Sequence, residues 1–175
     1  MRSLLKRIGK YNTLLLCLLA VLALDQTTKY FVVQHIRFGT YINPEPIPVI
    51  DGFFYLVHIG NTGVAWGMLQ GFGPLLAVFA IIVTISIFLF RRMLQLHLRS
   101  MQIVFGIMMG GILGNFVDRI VVKHVVDFID IHLPFYRWPA FNIADSAILI
   151  GVTSYIILSF RQDSKKSKQP PVEKE

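Results

Sequence analysis

The stretch MQIVFGIMMGGILGNFV, residues 101–117, carries no charged side chain and runs directly into Asp118 and Arg119. A helix that crosses a bilayer takes roughly 20 mostly apolar residues, and this stretch reads as one such span. Gly106, Gly110 and Gly114 recur every four residues within it and share one helical face. Small residues at that spacing let a second helix approach closely, so packing accounts for them. Three further apolar stretches flank it, from about Phe72 to Phe90 without a charge, from about Phe141 to Phe160 with the single charge Asp145 near its start, and from about Tyr11 to Val33. Arg2, Lys6, Arg7 and Lys10 precede that last stretch in the manner of a signal peptide, but no clear small-x-small cleavage site follows Leu24, so it reads as a retained helix.

With 175 residues, of which 54% are hydrophobic and 15% charged, the chain reads as an all-α integral membrane protein. One domain is expected over residues 1–160, followed by a polar, disordered tail over 161–175. The lone Cys17 excludes an intrachain disulfide and lies in an apolar run, where packing is its default role.

The net charge of +7 is unevenly distributed. Four spans put both termini on one side. That side holds twelve basic residues, Arg2, Lys6, Arg7, Lys10, Arg91, Arg92, Arg99, Arg161, Lys165, Lys166, Lys168 and Lys174, and the other holds five, Lys29, Arg37, Arg119, Lys123 and Arg137. The positive-inside rule places both termini in the cytoplasm, and the basic excess needs no nucleic-acid partner. The seven acidic residues before position 161, Asp25, Glu45, Asp51, Asp118, Asp127, Asp130 and Asp145, all fall at the outer face.

Two outer segments result. In the first, about Gln34 to Gly71, Pro44, Pro46 and Pro48 resist helix, and the run Val49 to Val57 reads as two short strands around the Asp51-Gly52 turn. This predicts a small extracytoplasmic β-element on the membrane surface. Asn61 to Gly67 follows as a connector that could turn back toward the bilayer. The second segment, about Asp118 to Ala140, is broken by Pro134 and Pro139.

An ionisable group near hydrocarbon is costly and is a functional hypothesis by default. Asp145 qualifies, although a carboxylate in a first helical turn also complements the macrodipole, with Asn142 as the cap. Asp127 sits among Val125, Val126, Phe128 and Ile129, where burial would raise its pKa, unless it lies on the outward face of an amphipathic strand. The two lie at the same membrane edge. Two carboxylates that share a site hold one proton between them and can activate water while protonating a departing amide nitrogen. Asp118 with Arg119, and Asp25 with Lys29 at i,i+4, read first as structural charge pairs. Asn115, one turn before Arg119, could hydrogen-bond within the site. His124, Asp127, Asp130 and His132 could be set out as metal ligands, but no HExxH pattern or cysteine pair supports that, and no histidine is placed to activate Ser146. A non-enzymatic membrane module with a buried acidic pair, such as a small transporter or lipid-binding subunit, is the rival reading.

Four motifs then resemble the lipoprotein signal peptidase (signal peptidase II) family: Leu24-Asp25-Gln26-Thr27-Thr28-Lys29; Asn61-Thr62-Gly63-Val64-Ala65-Trp66; Gly110 to Arg119 running on to Val125-Val126-Asp127-Phe128; and Trp138 to Asp145. The resemblance implies four transmembrane helices with a small extracytoplasmic sheet and a short surface helix. It implies an aspartyl pair on Asp127 and Asp145, supported by Asn115, Asp118, Arg119 and Asn142, with Asn61, Asp25 and Lys29 nearer the periphery. No cofactor or metal is implied. The implied substrates are prolipoproteins carrying a diacylglyceryl cysteine, cleaved just before that cysteine. The implied setting is the bacterial inner membrane, with membrane lipids as neighbours, globomycin-type cyclic peptides as inhibitors and a monomeric chain. Two departures stand out: Trp66 where phenylalanine is more usual, and Lys123-His124 near a turn where glycine is common.

Overall fold

A computed structural model of the protein describes residues 10–40 and 45–166. Four helices and four strands follow in the order α1 (Asn12–His35), β1 (Ile47–Ile50), β2 (Phe54–Asn61), α2 (Gly73–Leu89), α3 (Arg99–Val121), β3 (Val125–Leu133), β4 (Tyr136–Arg137) and α4 (Ile143–Lys166). Residues 1–9, 41–44 and 167–175 lie outside the described part, and with them Arg2, Lys6, Arg7, Pro44, Lys168 and Lys174.

Each expected apolar stretch forms a helix. Three of them, Asn12–His35, Arg99–Val121 and Ile143–Arg161, are long and apolar enough to cross a membrane. The remaining one, α2, is the most apolar of the four but has 17 residues and falls short of that length. One expectation about the ends needs correction. The tail expected from residue 161 begins as helix, because α4 continues to Lys166. Asp118 and Arg119 lie at the close of α3, with Arg119 in its last turn.

The all-α reading also needs correction. The strands form one antiparallel sheet in the order β1-β2-β3-β4. The Asp51-Gly52 turn joins β1 to β2 as expected: Gly52 has φ +74°, and the Asp51 carboxylate accepts its N–H at 3.0 Å. The sheet is larger than expected because Val125–Leu133, taken as part of a broken loop, is a nine-residue strand. Its β-branched residues suit a pleated, buried surface, and it pairs with β2 from Phe54↔Ile131 to Asn61↔Val125. The expected surface helix is a single 3₁₀ turn, Ala65–Gly67.

Helix α3 is the centre of the helical part, with α1, α2 and α4 all packed against it. The glycine face does what its spacing implied: a Cβ on Gly106 would lie 2.6 Å from the Leu14 carbonyl, and one on Gly110 2.8 Å from the Leu18 carbonyl. At the sheet end of the bundle, Val126 and Phe128 of β3 pack on Val32 of α1 and on Ile36, which caps it, and this anchors the sheet to the bundle.

The chain turns from α3 into β3 at Lys123, which adopts φ +68° and donates its N–H to the Asp118 carbonyl. This is the left-handed position that closes a helix and favours glycine. A side chain there costs roughly 1–2 kcal/mol, partly offset because glycine adds about 0.4–1 kcal/mol of unfolded-chain entropy. Lys123→Gly is therefore expected to stabilise the protein by about 0.5–1 kcal/mol, read as a raised thermal unfolding midpoint in detergent. An unchanged or lowered midpoint would contradict the strain at this turn.

Candidate active site

Lys29 is buried, at 3% exposure, on the inward side of α1. Its ammonium has three donors, and they meet three acceptors: Asp25 Oδ2 at 2.8 Å, Asp118 Oδ2 at 2.8 Å and Asn115 Oδ1 at 3.0 Å. The carboxylates reach further. Asp25 Oδ1 accepts the Ala144 N–H at 2.8 Å, at the start of α4. Asp118 accepts the Val126 N–H at 3.1 Å and the Gln26 side chain at 2.9 Å. One buried charge cluster thus ties α1, α3, β3 and α4 together. The i,i+4 pairing of Asp25 with Lys29 was legible in sequence; Asp118 as the second counter-ion was not. Asp118 and Arg119 do not neutralise each other, because successive helical residues point about 100° apart. Arg119 instead donates to the Gly63 carbonyl at 2.9 Å and the Asn115 carbonyl at 3.3 Å.

Above this cluster stand the two candidate carboxylates. Asp127 is 2% exposed and is no outward strand residue. Asn61 donates to its Oδ2 at 3.0 Å and Asn142 to its Oδ1 at 2.7 Å. Asp145 receives the Asn115 side-chain amide at 2.7 Å and the Asn142 N–H at 3.3 Å, while Asn142 Oδ1 accepts the Asp145 N–H at 2.9 Å. That exchange is a capping box, so the capping role of Asp145 and its place in the site coexist. Fully buried Asn142 holds both carboxylates, and Asn115 links Asp145 to Lys29. Ser146 donates to the Asn142 carbonyl at 3.0 Å and belongs to the same helix start.

Burial pushes the Asp127 carboxyl up to about 7, and the neighbouring Asp145 carboxylate adds to the rise; hydrogen bonds from Asn61 and Asn142 and the charge of Lys29 act the other way. The two carboxylates line one cavity of about 1500 Å³ together with Asn61, Asn115 and Arg119. Its lower wall is apolar: Leu76, Phe79 and Val83 of α2, Met108 and Ile112 of α3, and Ile148 and Val152 of α4. At the rim, Trp66 donates its indole N–H to the Tyr136 hydroxyl at 2.7 Å, and both rings lie 6.0 Å from Trp138.

The connector from Asn61 to Gly67 is therefore part of the site. Asn61 accepts the Gly63 N–H at 2.9 Å and so fixes its own amide against Asp127. The four residues considered as metal ligands do not converge. Asp130 and His132 are an odd number of strand positions from Asp127 and occupy the other pleat face. There Asp130 accepts Arg137 Nε at 3.1 Å and lies 3.0 Å from His132 Nε2. The ring of His124 packs on Phe38 at 5.6 Å. Sequence reasoning did not single out Gln26, Tyr136 or Trp138 for the site. Gln26 follows Asp25 directly within the first of the four motifs, which is the signal it offers.

Two outcomes follow. The raised Asp127 group keeps its proton in the folded state after the unfolded chain has lost it near 3.8. Stability is therefore expected to fall as pH rises from about 4 to about 7 and to level off above, since the folded state there binds more protons. Asp127→Asn should remove that slope in denaturation curves taken across the range, and a slope unchanged by the substitution would count against the buried titrating group. Lys29→Met leaves Asp25 and Asp118 buried without their counter-ion. A loss of about 3–5 kcal/mol is expected, measured by thermal unfolding in detergent; a loss under about 1 kcal/mol would be the value of an exposed pair.

The chain matches the family model described as signal peptidase (SPase) II over residues 17–161. It is 44% identical over 141 residues to a lipoprotein signal peptidase of Geobacillus thermodenitrificans, covering 81% of this chain and 85% of that one. It is 37% identical over 151 residues to a lipoprotein signal peptidase of Bacillus subtilis, covering 86% and 95%. A solved bacterial membrane enzyme, determined in meso at 2.3 Å resolution, superposes with a TM-score of 0.79 at 34% identity, covering 92% of this chain and 94% of that one. A second, at 1.9 Å, gives 0.68 at 33% identity, covering 83% and 91%. The chain belongs to the signal peptidase II family, bacterial membrane peptidases that process lipoproteins.

Proposed function

We propose that the protein is an aspartic endopeptidase that removes signal peptides from diacylglyceryl prolipoproteins, cleaving just before the lipidated cysteine with Asp127 and Asp145. The observation that carries this reading is the pair of carboxylates held by the single residue Asn142 at the polar end of a cavity whose other end is apolar.

Charge balance supports one proton shared by the pair. The buried cluster contains the carboxylates of Asp25, Asp118, Asp127 and Asp145 against the cations of Lys29 and Arg119. Protonating one of the upper pair reduces the excess negative charge from two to one. Asp127 is the better holder, because burial disfavours its anion, while Asp145 sits in a first helical turn that favours one. The pair titrates as a unit, so this is a preference between microstates. Retention of the pH slope in Asp127→Asn and its loss in Asp145→Asn would reverse it.

In the proposed reaction the ionised carboxylate takes a proton from a water as its oxygen attacks the scissile carbonyl carbon. The protonated partner supports the developing tetrahedral oxygen. A proton then passes to the amide nitrogen as the C–N bond breaks, which restores one proton on the pair. Arg119 Nε is buried and has no hydrogen-bond partner among the described residues, and it is offered as a donor to the substrate backbone.

Substrate would enter from the bilayer. Helices α2 and α4 both face the apolar end of the cavity, and α3 forms its floor between them. Acyl chains and the signal helix would stay in hydrocarbon there, with the peptide bond presented at the interface. On this reading α2 crosses the membrane as a fourth span, with both termini inside and the carboxylates outside, as the basic residues favour.

Purified enzyme is to be offered a diacylglyceryl prolipoprotein. Asp127→Asn and Asp145→Asn are each expected to reduce cleavage by about a thousandfold or more while folding normally, and chelators should leave the wild-type rate unchanged. Near-full activity in either folded variant would refute the aspartyl mechanism.

A further inference from the structure

We propose that the turn-rich segment between α2 and α3 is a binding surface for the headgroups of anionic phospholipids. The inference rests on α2 crossing the membrane, as proposed above. With 17 residues, α2 extends about 25 Å, whereas α1, with 24 residues, extends about 36 Å. The hydrocarbon core is about 30 Å thick. A short span draws its flanking residues into the interface, where long cationic side chains keep their stems in hydrocarbon and their charges at the headgroups.

The flank of α2 suits that position. Phe90 and Met93 are exposed at 55% and 73%, and they bracket Arg91 and Arg92. The segment has a fixed footing. Leu96, 1% exposed, is seated among Leu14, Met101 and Phe105. The buried Gln102 amide donates to the Leu96 carbonyl at 3.0 Å and to the Lys10 carbonyl at 2.9 Å, clasping the segment to the start of α1. Arg91 lies 5.1 Å over the Phe88 ring and donates to the Phe88 carbonyl at 3.0 Å, and that ring meets Tyr11 at 6.1 Å. Lys10, Arg91 and Arg92 are thereby gathered at one end of the bundle, and Arg99 opens α3 beside them. Among the described residues none of these four cations forms a salt bridge. Cations without ion-pair partners beside exposed phenylalanine and methionine complement a leaflet that presents phosphodiester anions above acyl chains.

The test uses the full chain in neutral detergent, titrated with dioleoylphosphatidylglycerol or dioleoylphosphatidylcholine, with bound lipid counted by native mass spectrometry. The wild type should prefer the anionic lipid. Arg91→Gln/Arg92→Gln should bind it about thirtyfold more weakly, about fivefold for each arginine, and bind the zwitterionic lipid as before. Arg91→Lys/Arg92→Lys, which keeps both charges, should retain most of the preference. Equal wild-type affinity for the two lipids, or no loss in the Gln variant, overturns the proposal. So does displacement of the anionic lipid by millimolar inorganic phosphate, which would mark a free-phosphate site. Prolipoprotein cleavage is read in parallel in phosphatidylcholine nanodiscs, where the Gln variant should match the wild type and so demonstrate its fold. An inactive wild type would sink the proposed reaction and leave the lipid titration standing.

Discussion

A buried ammonium group organises the half of this protein that carries the sheet. Lys29 lies against two carboxylates and one amide oxygen, and each of those groups belongs to, or reaches, a different element. Desolvating charges is expensive and is repaid when every donor and lone pair finds a partner. That condition is met through backbone N–H groups: Ala144 on Asp25 and Val126 on Asp118. The same bonds locate the start of α4 and the start of β3, which are the segments that carry Asp145 and Asp127.

The upper carboxylates inherit their geometry from that arrangement. Asn142 caps α4 and reaches across to Asp127; Asn115 spans from Lys29 to Asp145. Amides suit these bridging positions because each offers a donor and an acceptor without adding charge. A site with four carboxylates against two cations holds negative charge in excess, and burial moves that excess into a raised proton affinity at Asp127. Structure and acid–base chemistry are here one arrangement: the bonds that hold the elements together also set the electrostatic field in which the pair sits.

The cavity has a polar end and an apolar end. Its polar end is made by side chains from β2, β3, α3 and α4, and its apolar end by α2, α3 and α4. The family processes lipoproteins, whose substrates are themselves amphiphiles. A cavity divided in this way can hold the apolar part in hydrocarbon and expose one peptide bond to water. Trp66 contributes a feature that phenylalanine could not, since its indole N–H reaches the Tyr136 hydroxyl across the rim.

Sequence alone determined the helices, the Asp51-Gly52 hairpin and the close-packing face of α3, because each depends on local periodicity or on a backbone preference confined to a few residues. It also singled out Asp127 and Asp145 as the charged groups hardest to explain by packing. It left Val125–Leu133 open between a buried run and an amphipathic strand, since a run buried on both faces has no alternation to mark it as a strand. Only the tertiary structure decided that Asp118 serves Lys29 rather than Arg119, that Asn61 reaches Asp127, and that Asp130 turns away to Arg137. Partners 66 or 89 positions apart in the chain leave no periodic signature; they are chosen by which buried donors and acceptors remain unsatisfied once the helices and the sheet have packed.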